Sequence, residues 1–236
     1  MNVHLAIGTN HHFVLRNALL IYQSNDAAFV TRHDVKNAKE DQPTLGPAQA
    51  LTLDFLKTLM EGLGRKADIT VLPENVLAHT DEMVAWWTPA THRPMFFEDA
   101  DRKMAAISAR IFPHPPLVLV VNRQSLFVRA LAESRRPAAD TPVFAAPYWN
   151  VYDTGNVCLG SMRTPENADL SSIEAWERGF FESAFTHASG AVRLTTHKKG
   201  FEGMWKELVG SIKPFPAQYL VPTKETLQQY LKRISR

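Results

Sequence analysis

The tightest constraint on the fold lies mid-chain, in LVLVV (117–121), NRQS (122–125) and LFVRAL (126–131). Two apolar runs this close leave no room for the crossover of a dozen or more residues that parallel strands need. They therefore predict an antiparallel hairpin. TPVFAAP (141–147) is a third strand candidate. Its Pro142 and Pro147 suit an edge or the strand ends, because proline cannot donate to a ladder. It leads straight into PYWNVYDTGNVCLG (147–160), which holds the chain's single cysteine, Cys158.

Upstream, FVLRNALLIY (13–22) and AAFVTRHDV (27–35) flank the polar turn QSND and predict another hairpin. VKNAKEDQPT (35–44) reads as a polar loop. Pro47 opens a helical pattern with Leu51, Phe55, Leu56, Leu59, Met60 and Leu63 on one face and Gly64 at its end. DITVL (68–72) reads as a short strand stopped by Pro73. VAWWTPATHRPMFF (84–97) is dense in large rings, which bury their area in a core more often than they form a sticky surface. FEDADRKMAAISARIF (97–112) predicts a helix with Met104, Ile107 and Ile111 on one face, ended by Pro113.

Beyond the cysteine, Ser171-Ser172-Ile173-Glu174 has the capping-box pattern. It predicts a helix with Ile173, Trp176, Phe180 and Ala184 inward and Gly190 just past its end. FEGMWKELVG (201–210) is a second amphipathic segment. Thr223 is placed to cap a last helix with Leu227, Tyr230, Leu231 and Ile234 on its apolar face. Strands in the middle and helices at the end make the pattern α+β. Residues 1–80 read as an N-terminal extension of a hairpin plus helix, and 81–236 as the main domain.

Composition narrows the function classes. A formal charge of +2 is too small for a nucleic-acid footprint, which would need Lys and Arg gathered on one face. One cysteine forms no internal disulfide, as expected in a reducing compartment. No apolar run approaches the ~20 residues of a spanning helix, and the N-terminus has no signal-peptide pattern. A soluble cytoplasmic protein is expected. Neither phosphate-cradling glycine loop, G-x-x-x-x-G-K-[ST] or G-x-G-x-x-G, is present. Nor is H-E-x-x-H, C-x-x-C or G-x-S-x-G. The nine histidines are scattered, and hydrogen-bonded or surface roles suit them better than a metal site.

That leaves Cys158. A lone cysteine is commonly a buried apolar filler. Here Asn150, Asp153, Gly155 and Asn156 precede it, and such residues form turns. A thiol at the end of an irregular loop is within reach of a large partner.

NVYDTGNVCLG resembles the active-site signature of ubiquitin-conjugating enzymes. Asn150 falls on that family's asparagine, eight positions before the cysteine. Gly155 falls on its loop glycine, and Val157-Cys158-Leu159 on its apolar-cysteine-leucine triplet. Taken with LLIY, VLPENVLA and VAWWTPATHRPMFF, the sequence resembles protein B of the bacterial PRTRC system, a prokaryotic branch of the same superfamily. Two departures stand out. Tyr148 and Trp149 occupy the places of the family's histidine and proline. The chain between residue 112 and Cys158 is short for a four-strand meander, so a strand is missing or comes from the N-terminal part.

The resemblance implies a ubiquitin-conjugating-like sheet flanked by helices, with Cys158 carrying a ubiquitin-like protein as a thioester and passing it to an amine. It implies Asn150 as donor to the developing oxyanion, the alternative being a brace for the loop. Asp153 is the candidate for easing amine deprotonation, the alternative being a turn residue. Tyr152 is assigned no role. No cofactor is required in this chain. The implied partners are a ThiF-like activating enzyme, a small ubiquitin-like protein and a JAB-type peptidase. The competing reading is a catalytically inactive module that binds a ubiquitin-like protein.

Overall fold

The computed structural model describes residues 15–36, 43–63, 70–98, 103–160, 162–187 and 193–235. The chain divides into two compact units, 1–70 and 71–236. In the first, β1 (Asn17–Gln23) and β2 (Ala28–Lys36) form the expected hairpin. β3 (Thr44–Leu45) and β4 (Gln49–Ala50) pair with β2. Helix α1 (Leu53–Gly62) begins later than Pro47 suggested, because Thr52 caps it by accepting from the Phe55 N–H. Arg32 on β2 lies over the Phe55 ring at 4.6 Å. Thr70–Pro73 form no strand, and Asp68 and Ile69 of that expected strand lie outside the described residues, as does Gly64.

The second unit is built on β5 (Val76–His79), β6 (Met83–Thr88), β7 (Thr91–Phe97), β8 (Arg110–His114), β9 (Leu117–Asn122), β10 (Ser125–Ala130) and β11 (Pro142–Ala145). These are followed by α2 (Ile173–Glu182), β12 (Ala184–Phe185), α3 (Gly200–Leu208), β13 (Pro222–Thr226) and α4 (Leu227–Ile234). Six strands form one antiparallel sheet in the order β13-β11-β10-β9-β6-β5. The predicted β9–β10 hairpin is present, with Leu126 opposite Val121. It turns at Arg123, whose φ is +54° and whose guanidinium pairs with Glu82 at 3.1 Å. The short stretch between residue 112 and Cys158 is resolved as the sequence allowed, since β5 and β6 extend the sheet from its N-terminal side. Prolines 142 and 147 fall at and beyond the ends of β11, as their missing donors require.

Both sheet faces are covered, which is why β9 reads as an unbroken apolar run. Leu117, Leu119 and Val121 join a large core with Trp86, Trp176 and Trp205. Val118 and Val120 point the other way, toward Leu227, Tyr230 and Ile234 of α4. The helical faces of α2, α3 and α4 thus match their sequence periods. The caps differ in detail. Asp169, not Ser171, makes the capping box that leads into α2, through a short 3₁₀ turn. Thr226, not Thr223, caps α4 and pairs reciprocally with Gln229. Thr223 lies in β13 and donates to the Val143 carbonyl at 2.6 Å. Ala184 lies past α2, in β12, and Gly190 lies outside the described residues.

One expected element is replaced. Among the described residues of 97–112 there is no long helix. A 3₁₀ turn spans Ala105–Ile107, and Arg110–His114 form β8 against β7. Residues 99–102 lie outside the described residues. Long-range packing overrides the local period here. Phe112 is fully buried edge-on to Phe97 and Trp205, and Met104 is fully buried beside them. Pro113 sits within β8 opposite His92, where it needs no ladder donor. Among the described residues no helix is long and apolar enough to cross a membrane.

Candidate active-site loop

β11 pairs with β10 only at Arg129 and Ala130. The first half of β10 is thereby left open, and the loop from Asn150 to Cys158 fills it. The Val128 N–H donates to the Gly155 carbonyl and the Val157 N–H to the Leu126 carbonyl, both at 2.8 Å. The loop also closes on itself. Val151 bridges Val157, and the Cys158 N–H donates to the Asn150 carbonyl at 2.7 Å. Asn150 and Cys158 therefore face each other at the mouth, and residues 153–155 form the apex. Val151 and Val157 are buried in the core while Cys158 is half-buried, so the thiol is held by a fixed backbone rather than a loose one.

Asn150 has φ +65°, a left-handed conformation that asparagine tolerates better than most residues. Its side-chain amide is fully oriented by its neighbours. Nδ2 donates to the Ala184 carbonyl at 2.9 Å. Oδ1 accepts from the Thr186 N–H at 3.4 Å and the Thr186 hydroxyl at 3.1 Å. Asn150 thus ties the loop to residues 184–187, through bonds to a segment 34–36 residues away. One N–H of its amide remains without an acceptor among the described residues.

Asp153 lies at the apex, exposed, and its Oδ1 accepts from the Thr154 N–H at 2.8 Å. The structure therefore brings Asn150 and Cys158 together and places Asp153 away from them. Gly155 has φ +87°, and a Cβ there would stand 3.1 Å from the Val128 carbonyl oxygen and 3.2 Å from the Arg129 guanidinium carbon. Gly155→Ala is expected to cost about 1–3 kcal/mol in unfolding free energy, from backbone strain and this contact. Urea denaturation checks it, and an unchanged midpoint would contradict this account of the apex.

Below the apex sits Arg129, with 3% of its side chain exposed. It donates to the Asp153 carbonyl at 2.7 Å and to Glu225 at 3.4 Å. Arg233 on α4 holds the same Glu225 at 2.8 Å and donates to the Thr154 carbonyl at 3.0 Å. The hydrogen bonds from Arg233 keep the Glu225 carboxyl below its usual range. Burial lowers the Arg129 pKa, opposed by the nearby Tyr230 and Glu225. Two guanidinium groups thus pin the apex through backbone carbonyls, which are present whatever side chains the loop carries. No local signal marks Arg129, Glu225 or Arg233 in the sequence.

Tyr148 and Trp149 enter the core. Tyr148 is fully buried, and its hydroxyl meets Nδ1 of His114 at 2.9 Å. Nε2 of His114 reaches the Arg93 carbonyl at 3.3 Å. A carbonyl only accepts, so Nε2 carries the proton and the Tyr148 hydroxyl donates to Nδ1. Burial lowers the His114 pKa from 6.5 to about 4 and raises that of Tyr148. Trp149 stacks on Phe201 at 4.9 Å and meets Phe97 edge-on. The Trp205 indole donates to the Pro147 carbonyl at 3.2 Å, fixing the start of the loop. On the far side, Gly179 of α2 admits the Arg163 carbonyl so closely that a Cβ would stand 2.6 Å from it. The helix thereby packs directly on the chain that leaves the cysteine.

Among the described residues no group of three His, Cys, Asp or Glu side chains is arranged to hold a metal ion. The chain matches the family model described as prokaryotic E2 family D over residues 55–223, more than half its length. No curated protein and no solved structure matches it.

Proposed function

The chain belongs to prokaryotic E2 family D, and from that membership we propose that it is a conjugating enzyme carrying a ubiquitin-like protein as a thioester on Cys158. The observation that most supports this is the closed loop, in which the Cys158 N–H is bonded to the carbonyl of Asn150. It holds the half-buried Cys158 against the backbone of Asn150, whose side-chain amide is oriented by Ala184 and Thr186.

Loading is a thiol exchange. The Cys158 thiolate attacks the thioester formed on a ThiF-like activating enzyme, and that enzyme's sulfur leaves. Discharge is aminolysis by a lysine or another amine. Negative charge develops on the thioester oxygen as the amine adds. The remaining amide N–H of Asn150 is the candidate donor to that oxygen. Its bonds to Ala184 and Thr186 hold it ready, so bracing and catalysis are compatible. Pre-aimed donors of this kind are worth on the order of 10²–10³ in rate. Asp153 is given a turn role, in keeping with its place at the apex. The wider resemblance to protein B of the PRTRC system supports a small ubiquitin-like protein and a JAB-type peptidase as further partners.

The test is intact mass after incubation with an activating enzyme, a ubiquitin-like protein and ATP. An adduct is expected that Cys158→Ala abolishes. Asn150→Gly tolerates the positive φ and removes the amide. It is expected to load but to discharge to free lysine about 10²-fold more slowly. A charged activating enzyme that never passes its cargo would instead support the binding-module reading, which the buried Tyr148-Trp149 pair in place of histidine-proline keeps open.

A further inference from the structure

An incoming lysine is an ammonium ion near neutral pH, its ordinary pKa being ~10.4. On becoming an amide nitrogen it loses two protons, so a base at the loop mouth has a task. Asp153 does not stand there. It lies three residues toward the apex from Asn150, up to about 10 Å at ~3.3 Å per residue, and it is bonded to the Thr154 N–H.

Among the described residues, His187 is a titratable side chain whose backbone borders the mouth. Asn150 bridges the two sides of the site. Its carbonyl accepts from the Cys158 N–H at 2.7 Å, and its own N–H donates to the His187 carbonyl at 3.2 Å. The His187 ring is exposed, and its Nδ1 lies 2.8 Å from the Thr186 hydroxyl. That hydroxyl also lies 3.1 Å from Oδ1 of Asn150, which can only accept. A hydroxyl has one proton. Both contacts are hydrogen bonds only if Thr186 donates to Asn150 and the His187 Nδ1–H donates to Thr186. In the neutral ring this sets the tautomer and leaves the lone pair on Nε2. Among the described residues nothing else bonds that nitrogen. A neutral imidazole is the side chain best matched to proton transfer near pH 7.

We propose that His187 Nε2 accepts the proton of the amine that attacks the Cys158 thioester, an inference that rests on the acyl-transfer reading above. The amine nitrogen bonds to the thioester carbonyl carbon, the C–S bond breaks, and Cys158 leaves as a thiolate. Nε2 relays the two protons lost by the nitrogen, so that one ends on the Cys158 sulfur and one in solvent. The His187–Thr186–Asn150 chain links this base to the residue assigned to the oxyanion.

The test needs no activating enzyme. The full chain is loaded by thiol exchange with a short Gly-Gly-ended peptide as its mercaptoethanesulfonate thioester. Intact mass follows loading, and then discharge to free lysine near neutral pH. His187→Gln and His187→Ala are expected to load at the wild-type rate and to discharge on the order of 10²-fold more slowly. Dissolved imidazole is expected to restore discharge in the alanine variant, which a merely structural role would not allow. Normal loading with unchanged discharge, or equal slowing of both steps, overturns this inference alone. A wild-type chain that takes no acyl group on Cys158 overturns the acyl-transfer reading and the inference together.

Discussion

Trp205→Ala is expected to lower the unfolding free energy by roughly 3–5 kcal/mol, the range for a fully buried large aromatic. Trp205 has no exposed surface. Its ring meets those of Phe112, His114, Tyr148, Phe201 and Phe215 within 6.2 Å. Its truncation would leave a cavity between α3 and β8 that these rings cannot close without leaving their own contacts. It would also strip the Pro147 carbonyl of its donor. A lost hydrogen bond to a buried carbonyl adds about 1–3 kcal/mol of desolvation cost. Because Pro147 opens the loop, this variant is expected to slow Cys158 chemistry as well as to unfold at lower urea. Far-UV circular dichroism in urea measures the first effect. A loss below about 1 kcal/mol would mean that the ring cluster is not the centre of the 71–236 core.

The second large effect is a pH dependence. His114 is neutral in the fold, and burial lowers its pKa from 6.5 to about 4, the nearby Arg93 and His92 adding to the shift and the bond to the Arg93 carbonyl opposing it. Between these two values the unfolded chain binds a proton that the folded chain refuses. Stability from this site is therefore complete above pH 6.5, and it declines as pH falls toward 4. The loss amounts to on the order of 3 kcal/mol. Other groups titrate lower in the range. The Glu225 carboxyl, held down mainly by its bond to Arg233, also loses stability as it is protonated. Glu177, raised by burial, works in the opposite direction. Comparison with His114→Gln isolates the histidine. Glutamine can still accept from Tyr148 and donate to the Arg93 carbonyl, but it does not titrate. Urea midpoints from pH 7 to pH 4 are expected to fall more steeply for the wild type. Parallel slopes would show that His114 is not buried as a neutral ring.

What was legible in the sequence follows from the range of the forces involved. The β9–β10 hairpin could be read because its partners are adjacent and its apolar content reflects burial on both sides. The inward faces of α2 and α4 could be read because one helix carries its own period. The Asn150–Cys158 spacing could be matched to the ubiquitin-conjugating signature because such a loop is a local stretch of sequence. Residues 110–112 read as the end of a helix, yet they open the strand Arg110–His114. Its conformation is decided by Phe97, Tyr148 and Trp205, and no window around residue 110 contains the last two. The pin beneath the loop is similar. Arg129 meets Asp153 and Glu225 across separations of 24 and 96 residues. Tyr148 in place of histidine looked like a loss, yet the structure lays the ring of His114, 34 residues upstream, on it at 5.7 Å.

The most direct test of the central claim is the intact mass of wild type and Cys158→Ser after reaction with an activating enzyme, a ubiquitin-like protein and ATP, each with and without added thiol. A thioester on sulfur is cleaved by thiols, whereas the ester formed on a serine hydroxyl resists them. The account predicts adducts of equal added mass, lost on thiol treatment in the wild type and retained in Cys158→Ser. An adduct that persists in thiol on the wild type, or one that forms equally on Cys158→Ala, would place the modification elsewhere and contradict the assignment of Cys158 as the carrier.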